Sequence, residues 1–284
     1  MRRRRRRSPR TCDRLRKCAP PGLAAAPASA ESRAGRWCAE AMMRLTILGA
    51  ALCLGWAAAA LATPIRFAAR DGVSVHGDFT APAGASRGTI LLFHMAGSNL
   101  GEYAPIVPRL VAAGFATLAV DARSGGRLWG RDNATAAAVR GQPDYQAALP
   151  DLEAALTEAR RRGARRVIAW GSSYSAALVF ELAARHPEIG AVLAFSPGEY
   201  IDGVSIAGAA ARVRVPVFVT SAADAGEIAA ARAIVATVPG GRGRQQVPRA
   251  GVHGSATLRA DRNPAGAAAN FAAVLAFLDQ VAPR

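Results

Sequence analysis

Cysteine is missing from most of this 284-residue chain, because all four cysteines lie within its first 53 residues, at Cys12, Cys18, Cys38 and Cys53. Disulfides therefore cannot staple the long C-terminal part of the chain. That part has to be stabilised by a hydrophobic core, and a composition with 51% hydrophobic residues can supply one.

Lysine is nearly absent as well: Lys17 is the single lysine beside 35 arginines. The formal net charge is +16, but residues 1–42 carry 12 of the 36 basic and only 3 of the 20 acidic residues. The basic run at 160–166 has no interleaved aromatics and is typical of a solvated helix end. We therefore expect no nucleic-acid partner for the body of the chain.

The only long apolar run that ends in small residues follows Met42-Met43-Arg44 and stops at Ala62. A short basic start, an apolar stretch and a small-residue end are the three parts of a secretory signal peptide, predicted here at 42–62 with cleavage after Ala62. Cleavage would leave no stable membrane anchor and a secreted or periplasmic protein. The alternative is an uncleaved anchor, since the run has about the minimum length for a spanning helix.

The segment upstream of this signal, residues 1–41, has no hydrophobic periodicity and no capacity to form a core. We interpret it as a disordered extension or as the result of a start assigned too early, with Met42 or Met43 as the true start. A twin-arginine-like leader is the alternative. The remaining residues, 63–284, are predicted to form a single domain.

Strand-like and helix-like segments alternate through this domain. "PIRFAARDGVSVHGDFTAP" predicts a hairpin that turns at Asp71-Gly72. Buried strands are predicted at 88–94, at 115–121, and in "RVIAW", "GAVLAFSP" and "VPVFVTSA", with a more polar strand in "RQQVPRA". Their continuous apolar runs indicate a mostly parallel sheet covered by helices on both faces, which is the α/β class.

The helices of this pattern are predicted at 101–114, around 149–159 with an interruption at Pro150, in "YSAALVFELAARH", in "AGEIAAARAIVATV" and in "NFAAVLAFLDQV". The longest insert, 122–142, is too short for a cap domain. We expect it to shape a substrate pocket together with 198–208.

Three serines follow the strand "VIAW", and one of them has the neighbours that a catalytic nucleophile needs. A nucleophile on a tight strand-to-helix turn requires small residues two positions before and two positions after it. Ser173 meets this condition with Gly171 and Ser175, whereas Ser172 has Trp170 two positions before it. The pattern G-x-S-x-S is a variant of G-x-S-x-G, so Ser173 is the predicted nucleophile.

A serine nucleophile needs a histidine base, and the chain has only four histidines. His76 lies in the predicted hairpin, His94 ends a core strand and His186 lies at a helix end. The fourth, His253, lies between the last strand and the last helix, in a loop at the end of the sheet where ligand sites form. We therefore predict His253 as the base.

Asp224, in the loop "SAADAGE" after a predicted strand, is the carboxylate expected to orient the histidine. Glu199 and Asp202 are alternatives, and an N-cap is the alternative role for Asp224 itself. Backbone amides are also required to bind a developing oxyanion. We expect them from Tyr174, directly after the nucleophile, and from Met95, in the loop after the strand "GTILLF".

These segments together resemble the α/β-hydrolase superfamily, and within it the dienelactone-hydrolase-like and small esterase branches. The resemblance spans most of 64–284 and rests on "LLFHMAGSNLGEY", "LAVDARSGG", "IAWGSSYSAAL", "VFVTSAADAGE" and "VHGSATL" in that order. It implies a Ser173–His253–Asp224 triad with an oxyanion hole at Met95 and Tyr174, and no metal or organic cofactor. Two positions depart from the family: Ser175 replaces the second elbow glycine, and Met95 follows His94. The dienelactone hydrolases proper also use cysteine where this chain has serine.

The sequence thus predicts an exported serine hydrolase that cleaves a small-molecule carboxylic ester or lactone through an acyl-enzyme. Two alternatives stay open: a non-catalytic binding protein with this fold, and a cell-envelope or nucleic-acid partner reached through the arginine-rich residues 1–41. Neither the substrate-binding residues nor the oligomeric state are predicted.

Overall fold

An eight-stranded sheet runs through the computed structural model, which describes residues 61–141 and 143–284. The predictions for 1–41 and for 42–60 of the signal peptide lie outside the described residues. Over the part that is described, no helix has the length and apolar character needed to cross a membrane.

The strands lie in the order β1-β2-β4-β3-β5-β6-β7-β8, and the first two are antiparallel to their neighbours while the others run parallel. Their bounds are β1 Thr63–Ala68, β2 Ser74–Thr80, β3 Thr89–Phe93, β4 Ala116–Asp121, β5 Val167–Ser172, β6 Ile189–Phe195, β7 Val217–Thr220 and β8 Gly243–Gln246. The hairpin predicted at Asp71-Gly72 joins β1 to β2, and Gly72 has the positive φ of 83° that such a turn needs.

Helices cover both faces of this sheet. They are α1 Val107–Ala112, α2 Ala134–Ala138, α3 Leu149–Arg161, α4 Tyr174–Arg185, α5 Ile206–Ala210, α6 Ala225–Val235 and α7 Ala267–Val281. Short 3-10 helices occur at Leu100–Tyr103, Gln146–Ala148, Pro239–Gly241 and Gly254–Leu258. The predicted fold class, a mostly parallel sheet of the α/β-hydrolase type, is confirmed, and the part of the chain that the structure describes contains no large cap domain.

Strand β3 shows why the buried strands are continuously apolar. All five of its residues are buried, and alternate side chains enter two separate cores. Leu91 and Phe93 pack into the core on one face, whereas Ile90 and Leu92 pack into the core on the other face. Because both faces are covered, apolar side chains fill the strand from Ile90 to Phe93, and the buried Thr89 is its one polar residue.

Prolines change two of the predicted helices. The helix expected at 101–114 is a 3-10 turn at Leu100–Tyr103 followed by the short helix α1, which has Pro108 in its first turn. Pro150 does not interrupt its helix, because α3 begins at Leu149 and places the proline in the first turn, where no backbone donor is lost.

Hydrogen bonds of buried side-chain amides anchor the described part of the insert, residues 122–141. Asn99 Nδ2 lies 2.7 Å from the carbonyl of Leu128 and 3.0 Å from that of Arg131. Asn133, the N-cap of α2, donates to the carbonyl of Ala122 at 2.9 Å. These buried amides hold the insert over the carboxyl ends of the central strands.

Candidate active site

Ser173 lies on the sharp turn between β5 and α4. Its backbone has φ 60° and ψ −122°, a conformation that costs a non-glycine residue free energy and occurs mainly at functional sites. A side chain at Gly171 would overlap the backbone of Ser175, which explains the glycine two positions before the turn. The strand, the strained turn and the helix are the context that the G-x-S-x-S pattern requires.

Ser175, which replaces the usual glycine, contributes hydrogen bonds that a glycine could not make. Its Oγ accepts a hydrogen bond from the amide of Ser172 at 2.8 Å. The same hydroxyl lies 2.7 Å from the carbonyl of Phe93, at the end of the neighbouring strand β3. The serine hydroxyl therefore ties the turn to the strand beside it.

Ser173, His253 and a carboxylate form a continuous hydrogen-bonded chain. Ser173 Oγ lies 2.8 Å from His253 Nε2, and His253 Nδ1 lies 2.8 Å from Glu227 Oε1. An imidazole that donates from Nδ1 to the carboxylate has Nε2 free to accept the serine proton. This arrangement activates a serine for attack on an electrophile.

The carboxylate of Glu227 is held in its ionised form by its surroundings. Burial acts to raise the pKa of Glu227, but hydrogen bonds from Ser196, the Ala222 amide and His253 outweigh it and lower the pKa. Ser196 itself has a strained φ of 55°, and its Oγ accepts the Gly254 amide at 2.9 Å. Ser196 therefore connects the carboxylate with the loop that carries the histidine.

Asp224, the carboxylate predicted from the sequence, lies elsewhere and has to be corrected to Glu227. Asp224 is the N-cap of α6, and its Oδ1 accepts the amides of Gly226 at 2.9 Å and Glu227 at 3.1 Å. Neither of the two alternative acids from the sequence is hydrogen-bonded to His253 among the described residues. Glu199 accepts the first amides of α5, and Asp202 is exposed in the same loop. Asp224 thus has the N-cap role that the sequence left open as its alternative.

Of the two amides predicted for an oxyanion hole, only one is available to a substrate. The Tyr174 amide, in the first turn of α4, has no acceptor among the described residues. The Met95 amide instead donates to Glu102 Oε2 at 2.9 Å, which corrects its predicted role. The next amide, that of Ala96, has no acceptor within the described chain.

His94 holds the loop that presents these amides. Its Nδ1 lies 2.7 Å from the carbonyl of Met95, while its Nε2 accepts the amide of Ala122 at 2.9 Å. Burial lowers the pKa of His94, so the imidazole is neutral and suits one donated and one accepted hydrogen bond. The residue is structural, as its position at the end of a core strand indicates.

Two small cavities share Tyr145 as a lining residue. One, of about 390 Å³, lies between Ala96 and the insert and has polar walls that include Ser124 and Asn133. The other, of about 400 Å³, is lined by Tyr145 and Tyr200. Tyr145 borders both cavities and stacks on the ring of Tyr174 at a centroid distance of 4.7 Å. Through this stack both cavities lie near the turn that carries Ser173, although Ser173 itself lines neither of them.

The chain is similar to known proteins in both sequence and fold. The family described as serine aminopeptidase, S33, matches residues 84–238, more than half of the chain. No curated protein sequence matches.

Three solved structures illustrate the shared fold. The Pyrococcus furiosus esterase Pf2001 superposes with a TM-score of 0.63 at 15% identity, covering 78% of this chain and 93% of that chain. The enol-lactonase from Burkholderia xenovorans LB400 gives a TM-score of 0.57 at 18% identity, covering 75% of this chain and 99% of that chain. The Pyrococcus horikoshii acylaminoacyl peptidase gives a TM-score of 0.62 at 13% identity, covering 82% of this chain and 44% of that chain.

Proposed function

Because this chain belongs to the serine aminopeptidase S33 family of the α/β-hydrolase superfamily, we propose that it is an exported serine hydrolase that cleaves small carboxylic esters or lactones. The observation that carries the proposal is the hydrogen-bonded chain from Ser173 through His253 to Glu227. A filled chain of this kind disfavours the alternative of a non-catalytic binding protein with the same fold.

Acylation of Ser173 is the first half of the proposed reaction. His253 Nε2 takes the hydroxyl proton of Ser173 as Oγ forms a bond to the ester carbonyl carbon. The carbonyl oxygen becomes an oxyanion, which the amides of Tyr174 and Ala96 stabilise. When the tetrahedral intermediate collapses, the bond to the alcohol oxygen breaks and His253 returns the proton to the departing alcohol.

Water then completes the cycle. His253 removes a proton from a water molecule as its oxygen attacks the acyl carbon, and the second collapse restores the Ser173 hydroxyl and releases the carboxylic acid. Glu227 keeps the imidazole in the required tautomer and stabilises its cation in both halves. In a lactone the departing alcohol stays attached to the acyl group, so the product is one hydroxy acid.

The size of the two cavities that border Tyr145 supports a small substrate. Cavities of about 390 and 400 Å³ are near the lower limit for small-molecule sites. Tyr145 and Tyr200 offer ring faces to the substrate, while the cavity next to Ala96 is mostly polar. We therefore expect short acyl chains to react faster than long ones.

A fluorophosphonate probe and p-nitrophenyl acetate test the reaction. Wild type should be labelled and should release p-nitrophenol, whereas Ser173→Ala and His253→Gln should do neither. His186→Gln, which changes a half-buried histidine at the C-cap of α4, is the matched control and should retain activity. Labelling that persists in Ser173→Ala would refute the proposed nucleophile, and a wild type inert to both reagents would favour a binding protein.

The bond type needs a separate comparison, since the family description includes peptidases. Alanine p-nitroanilide presents an amide with a free amino group, and p-nitrophenyl acetate presents an ester. We expect a kcat/KM at least tenfold higher for the ester. A higher kcat/KM for the anilide would instead indicate that the protein is a peptidase.

Export is the part of the proposal that rests on the sequence features of 42–62. Strand β1 begins at Thr63, so that cleavage after Ala62 would remove no residue from the sheet. N-terminal sequencing of the protein recovered outside the cytoplasm should give Thr63 as the first residue. An intact N-terminus in the membrane fraction would support the anchor instead.

A further inference from the structure

Glu102 is a fully buried carboxylate that takes no part in the hydrogen-bonded chain from Ser173 to Glu227. It lies in the 3-10 helix Leu100–Tyr103, and its two oxygens point to different loops of the site. Oε2 accepts the amide of Met95 at 2.9 Å, and Oε1 accepts the hydroxyl of Ser172 at 2.6 Å. Burying an ionisable group in this way is costly, so a carboxylate at this place requires an explanation.

The contact with Ser172 extends to the loop that carries the histidine. Ser172 Oγ accepts the amide of Ser255, two residues after His253, at 2.8 Å. Gly254, between them, has a φ of 68°, and a side chain on it would overlap Ser172 Oγ. The histidine loop is therefore packed against the hydroxyl that Glu102 fixes.

The main chain of Glu102 is anchored as firmly as its side chain. Arg259 Nη1 donates to the carbonyls of Gly101 at 3.1 Å and Glu102 at 3.0 Å. Hydrogen bonds therefore hold both the backbone and the carboxylate of Glu102. The residue links the loop of Met95 to the turn at Ser172 and, through Ser172, to the loop after His253.

We propose that Glu102 is a positioning residue for ester cleavage, which joins the loop of the oxyanion amides, the turn of the nucleophile and the loop of His253. Its contact with the Met95 amide turns that donor away from the substrate and leaves the following amide, of Ala96, to face the oxyanion. Its contact with Ser172 fixes the residue directly before Ser173. The proposal rests on the proposed function and deepens it.

The chemical consequence is a requirement for two hydrogen-bond acceptors at one point. The Met95 amide and the Ser172 hydroxyl both donate, and an ionised carboxylate accepts from both. A glutamine at this position has one oxygen and one NH₂ group, so it can accept from only one of these donors. If its oxygen keeps the Met95 amide, its NH₂ group faces Ser172, whose hydroxyl then has to accept where it donated before. Glu102→Gln therefore keeps the shape of the side chain while it removes one acceptor from the link between the loops.

A double-mutant cycle with Glu102→Gln and Ser172→Ala tests the proposal, with p-nitrophenyl acetate as substrate. Each single variant should lower kcat about 10- to 100-fold with KM changed less than threefold, as displacement of reacting groups by about an ångström does. The double variant should be no slower than the slower single variant, because both changes break the same link. Fluorophosphonate labelling should slow by a similar factor.

Glu158→Gln is the matched control, because Glu158 is also a nearly buried glutamate but pairs with Arg161 and Arg162 at the end of α3. Its kcat should stay within twofold of wild type, even if its melting temperature falls as far as that of Glu102→Gln. A positioning role is overturned if Glu102→Gln matches this control in kcat, or if the effects of the two site variants multiply.

The outcomes separate this inference from the proposed function. If wild type is labelled and Ser173→Ala is not, the serine hydrolase stands, and a fully active Glu102→Gln then overturns the positioning role alone. If wild type itself is inert, the proposed function fails first. Should Glu102→Gln not fold, Ser172→Ala carries the test, since it leaves the carboxylate in place and removes only its link to the histidine loop.

Discussion

Glu227 Oε1 lies 2.8 Å from His253 Nδ1, although Asp224, three residues earlier, occupies the position at which the sequence pattern places the acid. The two carboxylates share one turn of α6 and divide its tasks. Asp224 satisfies the free amides at the start of the helix, and Glu227 points back to the imidazole.

The first prediction compares these two acids. Glu227→Gln should lower kcat for p-nitrophenyl acetate about 10³- to 10⁴-fold, because the imidazole loses the partner that fixes its tautomer. Asp224→Asn should change kcat less than threefold, since asparagine also caps helices. Steady-state kinetics on both variants measure the difference, and a larger loss in Asp224→Asn would restore the acid expected from the sequence.

The second prediction concerns the hydroxyl of Ser175, which contacts the Ser172 amide and the Phe93 carbonyl. Ser175→Ala removes the acceptor of the buried Ser172 amide, while the Phe93 carbonyl keeps the Tyr103 hydroxyl as a donor. The substitution should lower the free energy of unfolding by about 1–3 kcal/mol. Ser175→Gly, which restores the usual family pattern, should be less stable still, by up to about 1 kcal/mol, because glycine disfavours the helix. Urea denaturation gives both values, and a glycine variant as stable as wild type would show that the hydroxyl contributes nothing.

The third prediction concerns Tyr145, which separates the two cavities and stacks on Tyr174. Tyr145→Ala should merge the cavities and raise KM for short p-nitrophenyl esters about two- to tenfold, the value of a lost aromatic contact. The preference should shift from acetate toward octanoate. Tyr145→Phe keeps the ring and should behave as wild type, so an equal effect of both variants would assign the role to the hydroxyl instead.

The fourth prediction follows from the charge of Glu102. Burial raises the pKa of this carboxyl, against the opposing hydrogen bonds of Ser172 and the Met95 and Ser255 amides and the charge of Arg259. A carboxyl whose pKa is raised on folding costs stability when it ionises. The cost appears as the pH rises from the ordinary carboxyl value of about 4.3 through the folded pKa.

Glu102→Gln removes this pH dependence. The free energy of unfolding of the variant, relative to wild type, should therefore rise between pH 4.5 and pH 8, as measured by urea denaturation at both values. Tyr103 and Tyr174, whose pKa values burial raises, remain neutral over this range. A difference that stays constant with pH would show that Glu102 ionises in the folded protein as easily as in water.

The buried strands of the sheet were predictable because their apolar pattern can be recognised within a few consecutive residues. Segments such as Ile90–Phe93 are apolar at every position, and only a strand covered on both faces tolerates that. Ser173 and His253 could likewise be selected from the sequence, since the tight turn restricts its neighbours and only four histidines compete for the role of base. The structure brings these two side chains together.

The roles of Glu227 and Ala96 were not predictable for a physical reason. Which of two acids in one helical turn reaches the histidine depends on the angle at which α6 leaves β7, and sequence spacing does not fix that angle. Which of two successive amides is left without an acceptor among the described residues depends on the buried carboxylate of Glu102, seven residues from Met95. Both choices are made by tertiary contacts between loops that no local pattern describes.

The two outer strands of the sheet have a consequence for how copies of the protein meet. Strand β1 carries Pro64 and Arg66, and strand β8 is only four residues long and carries Arg244. Proline removes a backbone donor, and charged side chains oppose the approach of a second edge. Both edge strands therefore disfavour pairing with a strand of another molecule. Concentrated protein should not assemble by extending its sheet from one molecule into the next.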